Sequence, residues 1–548
     1  MGTWRLPGRH PGTRPRSPLA EPAAASGGIR PQDPRGVHLT FGADPATTMV
    51  ISWLAPATPG ADATETTNTG TGTTGSGSGS GSGTPSIRYA RVRGTATGPV
   101  PDQPAPARTV TAHSRSYRDA HTGLEVQVHH ATLRGLLPDT IYSYTILEDA
   151  GCPADAAGSG SGSATGQFRT APAGRAPFSF AFLADQGTDR PGDPFGSPAA
   201  GYTVAAIERH APMFTVVGGD LSYANIRDNP VRTWSDWFEM ISSSAASRPW
   251  LPCLGNHEIE RGNGVLGVAA YQTYFQLPEH GDESYLAGLW YAITVGSVRL
   301  VVLAADDVCL QEGSPVHLHG FSAGRQTSWL ARTLAQARAD PGIDWVVVVM
   351  HQTIMSTSAS HHGADLGIRA AWRPLFDQFD VDLVLHGHEH HYERSHPVRG
   401  HVPGSPTQIP LPVPNRTAQV GAPTELGVPD GDVVDATAGT VHLLVGTGGS
   451  GSPTAGDLLD PPAGRVIVDL RDPEPGRRRR RPVHAVEPAD WLAFRASDHP
   501  YAFALVDVDP GEPGGSTRLR ISVLDSSSPN PDQVPIDRVT LVRPRADR

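Results

Sequence analysis

Five short motifs in the chain contain side chains that bind metal ions, and each motif directly follows an apolar run. Their donor groups are carboxylates, imidazoles, a carboxamide and a phenol, which are types that proteins offer to transition metals. In chain order the motifs are ADQG at 184–187, GGDLSY at 218–223, GNHE at 255–258, H at 351 and HGHEH at 386–390. One such motif alone is a weak indication of a site, whereas all five in this order predict a metal centre.

The apolar runs before these motifs have the length and composition of buried strands. They are short and nearly continuous, as in sheets that are covered on both faces. They span 178–183, 214–217, 250–254, 345–350 and 381–385, and a sixth run of the same kind, at 298–303, has no motif after it. Amphipathic stretches between several of them predict helices at 199–209, 231–241, 324–339 and 369–379. Strands that alternate with helices predict an α/β layered domain over residues 176–543. Because open α/β sheets bind ligands at the carboxyl ends of their strands, we expect the motifs to converge.

A separate β domain is predicted in front of this unit, over residues 36–172. Short β-branched or aromatic runs, separated by Gly, Pro and Asp turns, predict a β-sandwich with strands at 37–41, 48–53, 86–92, 129–133, 141–147 and 167–170. A Gly/Ser/Thr-rich insertion at 57–85 is expected to form a flexible surface loop.

Three further segments are predicted to be disordered. Residues 1–35 are rich in Pro, Arg, Ala and Gly and lack the apolar stretch of a secretory signal, so they are interpreted as a tail. Residues 397–440 are Pro-rich without periodicity, and residues 472–488 include five consecutive arginines at 477–481. That arginine run is interpreted as a solvated loop, with a nucleic-acid contact as the weaker alternative.

Composition argues against a membrane or a nucleic acid as the partner. The 548 residues carry a net charge of −11, which is modest for this size. No apolar run approaches the roughly 20 residues that a membrane helix needs. Three cysteines are too few for a disulfide framework.

The order of the motifs resembles that of calcineurin-type metallophosphoesterases, whose blocks run Asp-x-Gly, Gly-Asp, Gly-Asn-His-Asp/Glu, His and Gly-His-x-His. Two details make the chain similar to the purple acid phosphatases: Tyr223 three residues after Asp220, and the long last block GHEHHYERS at 387–395. Residues 37–41 and 49–53 resemble strands of that family's N-terminal fibronectin-III-like domain. The resemblance therefore implies a fibronectin-III-like β-sandwich followed by an αββα double-sheet catalytic domain.

The resemblance also implies the ligands of two metal ions. Asp185, Tyr223 and His390 would hold the first ion, Asn256, His351 and His388 would hold the second, and Asp220 would bridge the two. A phenolate and carboxylates suit Fe³⁺, whereas imidazole and amide oxygen suit a divalent ion such as Zn²⁺, Mn²⁺ or Fe²⁺.

Such a centre can hydrolyse phosphate esters without a protein nucleophile, because the ions lower the pKa of bound water and neutralise charge on the phosphate. His257, beside Asn256, is the candidate proton donor to the leaving group. The pair His361 and His362 matches a substrate-side histidine pair of the family, and which of the two faces the phosphate stays open. Glu389 stands where the family often has an apolar residue, and we expect its side chain to point outward into solvent.

The predicted function is hydrolysis of small-molecule phosphate monoesters by metal-bound hydroxide. A phosphodiesterase or nucleotidase at the same centre is the alternative, because rim loops rather than metal ligands decide between esters. A phosphate-binding protein without turnover is a third hypothesis, which a missing ligand would favour; none is missing. The β domain is interpreted as a structural partner, with an adhesion or carbohydrate-binding module as the alternative. Family members are commonly exported, but no signal is recognisable here, so the compartment and the oligomeric state stay open.

Overall fold

The computed structural model describes ten stretches of the chain, residues 34–55, 84–92, 106–147, 164–279, 283–312, 318–415, 431–450, 457–473, 480–530 and 534–547. The predicted tail at 1–35 and the predicted loop at 57–85 lie almost entirely outside the described residues.

The front domain consists of two four-stranded antiparallel sheets. Its strands are β1 (Arg35–Phe41), β2 (Thr48–Leu54), β3 (Ser86–Arg91), β4 (Arg108–Thr111), β5 (His113–Arg118), β6 (Glu125–Arg134), β7 (Ile141–Leu147) and β8 (Thr165–Arg169). The strand orders are β1-β2-β6-β5 and β4-β3-β7-β8. Buried side chains from both sheets, such as Leu39, Trp53 and Ile146, belong to one core. The predicted N-terminal β domain is confirmed.

The sequence patterns missed two strands of this domain, β4 and β5. Each lies at the edge of its sheet, and most of its side chains are exposed. Edge strands need few apolar residues, because only part of their surface faces the core. Their sequences, RTVT and HSRSYR, therefore lack the apolar alternation on which the prediction relied.

Two seven-stranded sheets form the centre of the second domain, which also has a three-stranded sheet, β15-β22-β23, and a two-stranded sheet, β18-β19. The first has the order β11-β10-β9-β25-β26-β27-β20, and the second has the order β12-β13-β14-β16-β21-β17-β24. The strands of this domain are β9 (Phe178–Leu183), β10 (Phe214–Val217), β11 (Trp250–Pro252), β12 (Tyr291–Val295), β13 (Val298–Leu303), β14 (Trp345–Met350), β15 (Ala364–Asp365), β16 (Leu383–His386), β17 (Tyr392–Ser395), β18 (Val398–His401), β19 (Pro410–Pro412), β20 (Asp432–Asp435), β21 (Val441–Val445), β22 (Ala463–Arg471), β23 (Arg481–Pro488), β24 (Leu492–Ala496), β25 (Ala502–Asp509), β26 (Ser516–Asp525) and β27 (Asp537–Pro544).

The two sheets pack face to face, and helices cover their outer faces. The helices are α1 (Pro198–His210), α2 (Pro230–Ala245), α3 (Ala269–Tyr274), α4 (Arg325–Ala339), α5 (Leu366–Ala371) and α6 (Arg373–Gln378). In β14, Val347 and Val349 join the core shared with the first sheet, whereas Val346 and Val348 join a second core with α4 to α6. The alternation along this one strand shows why the run is apolar throughout. The predicted mixed α/β architecture with a double sheet is confirmed.

Proline and capping residues mark where helices α1 and α2 begin. Both α1 and α2 begin with proline, and the side chains of Ser197 and Asn229 accept hydrogen bonds from backbone N–H groups of their first turns. The single helix predicted at 369–379 is wrong, because the structure has α5 and α6 with a break at Trp372. Pro374 explains the break, since its ring would clash with the carbonyl one turn earlier in a continuous helix.

The predicted disorder of 397–440 and 472–488 is wrong for the described parts of both segments. β18 and β19 form a hairpin, β20 pairs in parallel with β27, and β23 pairs with β22. The fully buried guanidinium of Arg369 links the two segments, because it donates to the Thr407 carbonyl at 2.8 Å and to both Glu487 carboxylate oxygens at 2.7 and 3.0 Å. Residues 416–430 and 474–479 lie outside the described residues, and with them most of the arginine run.

The front domain packs against the second domain through β1, β5 and β6. Leu39 of β1 pairs with Pro249 just before β11. His38 Nε2 lies 2.9 Å from the Tyr274 carbonyl oxygen, and His130 Nε2 lies 2.9 Å from that of Thr273. Within the part of the chain that the structure describes, no helix is long and apolar enough to cross a membrane.

Candidate metal centre

The seven predicted ligands lie at the carboxyl ends of strands from both sheets. Asp185 follows β9, Asp220 and Tyr223 follow β10, Asn256 follows β11, His351 follows β14, and His388 and His390 follow β16. Backbone bonds hold neighbouring loops together, as from Asp185 N–H to the Gly219 carbonyl and from Gly387 N–H to the His351 carbonyl. All seven residues are at most 6% exposed. The site is therefore built where the strand ends of two packed sheets meet.

Four of these seven residues have a backbone conformation that non-glycine residues rarely adopt. The φ angles are +58° at Asp185, +51° at Asp220, +57° at Tyr223 and +76° at His388. Each such residue costs of order 1–3 kcal/mol, so the surrounding loops must hold it in place. Strain of this kind is concentrated at functional sites, and here it turns side chains of consecutive loops toward one point.

Two glycines allow the loops to approach this closely. A Cβ on Gly219, where φ is +91°, would lie 2.6 Å from His351 Nδ1. A Cβ on Gly255 would lie 2.4 Å from Asp220 Oδ1. Any larger residue at either position would push one ligand loop away from the next.

A first group of donor atoms consists of Tyr223 Oη, Asp185 Oδ1 and His390 Nε2. The phenol oxygen lies 3.3 Å from the carboxylate oxygen and 3.0 Å from the imidazole nitrogen. The imidazole nitrogen lies 3.4 Å from the same carboxylate oxygen. Burial and the nearby carboxylates raise the pKa of Tyr223 well above its usual value. A phenolate at this position therefore requires a cation beside its oxygen.

A second group surrounds His351 Nε2. This atom lies 3.1 Å from Asp220 Oδ2, 3.2 Å from Asn256 Oδ1 and 3.2 Å from His388 Nδ1. The other ring nitrogen, Nδ1, lies 2.8 Å from the Gly218 carbonyl oxygen, which only accepts, so Nδ1 carries the hydrogen. In the neutral ring, Nε2 therefore carries a lone pair that points toward the other candidate metal-binding atoms, as in metal-binding histidines.

Converging lone pairs of this kind repel one another unless a positive charge lies among them. Burial alone would lower the pKa of His351, but the carboxylates of Asp220 and Asp185 outweigh burial and raise it to about 10. His351 and His257 in turn hold the pKa of Asp220 well below its usual range although burial opposes this. The residues present thus fit cations.

Glu258 was not identified from the sequence, and it braces two of the ligand loops. Its carboxylate accepts three backbone hydrogen bonds of 2.8 Å, from Asp220, Leu221 and Gly255. Burial and the Asp220 carboxylate raise the pKa of Glu258 to about 8 despite these bonds. The loop after β10 and the loop after β11 are therefore fixed to one side chain.

His257 lies on one side of the donor groups. Its Nδ1 lies 2.8 Å from Asn225 Oδ1, and its Nε2 lies 3.9 Å from Asp220 Oδ2. The imidazole and the Tyr223 phenol ring have centroids 4.5 Å apart. Burial lowers the pKa of His257, and the Asp220 carboxylate offsets part of this.

The histidine pair lies on another side of the same centre. The His361 ring centroid is 5.5 Å from that of His388 and 5.3 Å from that of His390, and the His362 centroid is 4.6 Å from that of His388. Burial and the neighbouring His361 lower the pKa of His362 to about 3. The structure thus brings both members of the pair to the predicted centre.

The expectation that Glu389 points into solvent is wrong. Its side chain is fully buried, and its Oε1 accepts from His361 Nδ1 at 3.1 Å and from Gly363 N–H at 2.7 Å. Glu389 lies in the turn after β16, between two histidines whose side chains face the centre. The loop at 361–363 covers the Glu389 side chain, so it does not reach water. Gln311 was also not identified from the sequence, because it belongs to none of the five motifs. Its side-chain amide lies within 3.1 Å of His388 Nε2.

Comparisons with known proteins match both domains. Residues 34–170 match the family described as purple acid phosphatase, N-terminal domain, and residues 179–392 match the calcineurin-like phosphoesterases. An uncharacterised protein of Mycobacterium tuberculosis is 43% identical over 519 residues, which cover 93% of this chain and 87% of that protein.

More distant relatives carry functional names. The Arabidopsis thaliana protein named Fe(3+)-Zn(2+) purple acid phosphatase 12 is 24% identical over 371 residues, 67% of this chain and 66% of that protein. The structure of a purple acid phosphatase from yellow lupin seeds superposes with a TM-score of 0.59 at 16% identity, over 95% of this chain and 76% of that one. At that identity the superposition shows a shared fold.

Proposed function

The chain belongs to the purple acid phosphatases within the calcineurin-like phosphoesterases, and on this basis we propose that it hydrolyses phosphate monoesters at a centre of two metal ions. The observation that carries the proposal is the convergence of seven buried donor side chains from five loops at one edge of the double sheet.

The donor set supports two ions of different character. We assign Asp185, Tyr223 and His390 to a first ion, Asn256, His351 and His388 to a second, and Asp220 to both. A phenol donor favours Fe³⁺, and the imidazole-rich group favours a divalent ion such as Zn²⁺, Mn²⁺ or Fe²⁺. The printed name of the Arabidopsis relative pairs Fe³⁺ with Zn²⁺ in that protein. When bound, two ions in such a site supply Lewis-acid activation of water and neutralise charge on the phosphate.

The chain's own residues bind the substrate and move the proton. His257 has its Nδ1–H fixed by Asn225 Oδ1, so in the protonated ring Nε2–H is left to donate its proton to the departing alkoxide. His361 and His362 lie on another side of the donor groups, where they contact phosphate oxygens. The two histidines His361 and His362 fit a monoester, which presents three terminal oxygens where a diester presents two.

Parallel assays on purified protein test this function. We expect release of phosphate from an aryl phosphate monoester, slower turnover of the corresponding diester and of a nucleotide, and about two metal ions per chain. Asp220→Asn should reduce turnover by at least about a hundredfold, because it removes a charge that both ions share.

Asp139→Asn is the matched control for this variant. Asp139 also has a positive φ, +49°, but it lies in the front domain with an exposed side chain paired to Arg169. It should leave turnover and metal content unchanged. Wild-type protein with two ions bound and no turnover of any ester would refute the function, and full activity of Asp220→Asn would refute the assignment of the site.

A further inference from the structure

Glu389 is a buried carboxylate beside a site proposed to receive a phosphate dianion. It is fully buried between His388 and His390 in the chain, and its Oε2 has no hydrogen-bond partner among the described residues. A carboxylate in such a place repels an anionic substrate unless a positively charged or donor group lies between them. Its presence therefore requires a specific contact that offsets this cost.

That contact is His361. Its Nδ1 lies 3.1 Å from Glu389 Oε1, and the carboxylate has no hydrogen to donate when ionised, so Nδ1–H is the donor. The Arg465 guanidinium donates to the His361 carbonyl oxygen, so the backbone of this residue is also held.

These contacts fix the direction of the His361 ring. With Nδ1 turned to Glu389, the opposite ring edge with Nε2 is left for other partners. The ring centroid lies 5.3 Å from that of His390 and 5.5 Å from that of His388, one from each proposed metal group. The side chain is 29% exposed, so a substrate can reach it.

His362 is placed differently. Its ring is packed against His388 at 4.6 Å, and its carbonyl oxygen lies 3.0 Å from His484 Nε2. No carboxylate contact is found for its ring among the described residues. The two neighbouring histidines are thus distinguished by Glu389, which of the two forms a hydrogen bond only with His361.

We propose that Glu389 is a positioning residue that holds the His361 imidazole over both proposed metal groups, so that His361 rather than His362 provides the principal histidine contact to the substrate phosphate. This inference rests on the proposed function. An apolar residue at position 389 would leave the His361 ring free to rotate, and the hydrogen bond to phosphate would then have to order it in each binding event.

Two replacements at position 389 separate the effect of the hydrogen bond to His361 from the effect of side-chain size. Glu389→Gln keeps an oxygen that accepts from His361 Nδ1–H and from Gly363 N–H, whereas Glu389→Met has similar length and no acceptor. Each is made in the wild-type chain and in His361→Ala, which gives a double-mutant cycle. The readouts are kcat and KM for an aryl phosphate, calorimetric affinity for inorganic phosphate, and metal ions per chain.

We expect Glu389→Met to weaken phosphate affinity and raise KM by about tenfold, the scale of one hydrogen bond to a charged group. Glu389→Gln should stay within about threefold of wild type. In the His361→Ala background, Glu389→Met should have no further effect, because its partner is already absent. Metal content should be unchanged throughout.

Three results would overturn the inference: equal losses from Glu389→Met with and without His361, loss of metal ions in Glu389→Met, or a larger loss from His362→Ala than from His361→Ala. Phosphate affinity is measured without turnover. A wild-type chain that binds phosphate but hydrolyses no ester would therefore refute the proposed function, while the cycle would still decide the role of Glu389.

Discussion

Replacing Glu258 tests whether one side chain sets the relative position of two ligand loops. Its carboxylate accepts from the backbone N–H groups of Asp220, Leu221 and Gly255, and all three bonds measure 2.8 Å. Glu258→Ala leaves three buried donors without partners, and each costs about 1–3 kcal/mol. Some of this is recovered by water that enters the space of the lost side chain. We expect the free energy of unfolding to fall by roughly 3–6 kcal/mol, a large part of the about 5–15 kcal/mol typical of a domain.

Glu258→Gln is the finer perturbation. The amide keeps one oxygen, which can still accept from Asp220 and Gly255, but it turns an NH₂ group toward the Leu221 N–H. One bond of three is lost, so the expected cost is about 1–3 kcal/mol. Above about pH 8, where Glu258 is ionised, loss of the charge also removes the repulsion from Asp220 that contributes to its raised pKa, which offsets part of this cost.

The assay is urea unfolding followed by circular dichroism, together with metal ions per chain. Glu239→Ala is the control, because Glu239 is 42% exposed on the surface and its ion pairs with Arg35 and Arg190 are worth less than about 1 kcal/mol each. We expect Glu258→Ala to lose the most stability, Glu258→Gln less and the control the least, and we expect loss of metal only in the two variants of Glu258. If Glu258→Ala loses no more stability than the control and keeps its metal ions, the bracing argument is wrong.

Three further predictions concern single histidines and the phenol. Tyr223→Phe should abolish a visible phenolate-to-iron absorption band while about two metal ions stay bound; a band that persists would exclude Tyr223 as the ligand. His257→Ala should slow hydrolysis of an alkyl phosphate by about a hundredfold and that of a nitrophenyl phosphate much less, because only a poor leaving group needs a proton; equal losses would contradict its role as donor. Burial lowers the pKa of His38 to about 4 in the folded chain, below the 6.5 of an exposed histidine, so the unfolded chain binds more protons between these values and stability falls as pH is lowered. His38→Gln should remove roughly 2 kcal/mol of the stability loss between pH 6.5 and 4.5, measured by denaturant unfolding at each pH.

The sequence predicted the ligand-bearing strands well because their signal is local and redundant. Runs such as 345–350 are apolar on both faces, and a motif that ends each run marks its boundary. The N-terminal sheet edges carried no such signal, since β4 and β5 face water on most positions. Pro374 marks the break between α5 and α6, but the apolar periodicity continues across it and predicts one helix.

The supporting residues of the centre were harder to predict than the ligands. Glu258 and Glu389 lie inside the motifs, but their contacts depend on loops far away in the chain. An isolated glutamate is normally solvated, so a sequence argument favours exposure. Segments 397–415 and 480–488 were misjudged for a related reason. Their order depends on Arg369, whose buried side chain no periodicity could connect to them.

The strand order of the first sheet has a consequence for how the protein is made. Strand β9, which leads to Asp185, is paired on one side with β10 and on the other with β25, which comes near the end of the chain. Once synthesis has passed His390, the nascent chain contains every candidate ligand. The edge of β9 that pairs with β25 is then still exposed, because β25 has not yet been made. Fragments that end before β25 should therefore bind chaperones or aggregate. Metal ions should bind only after strands β25, β26 and β27 have been translated.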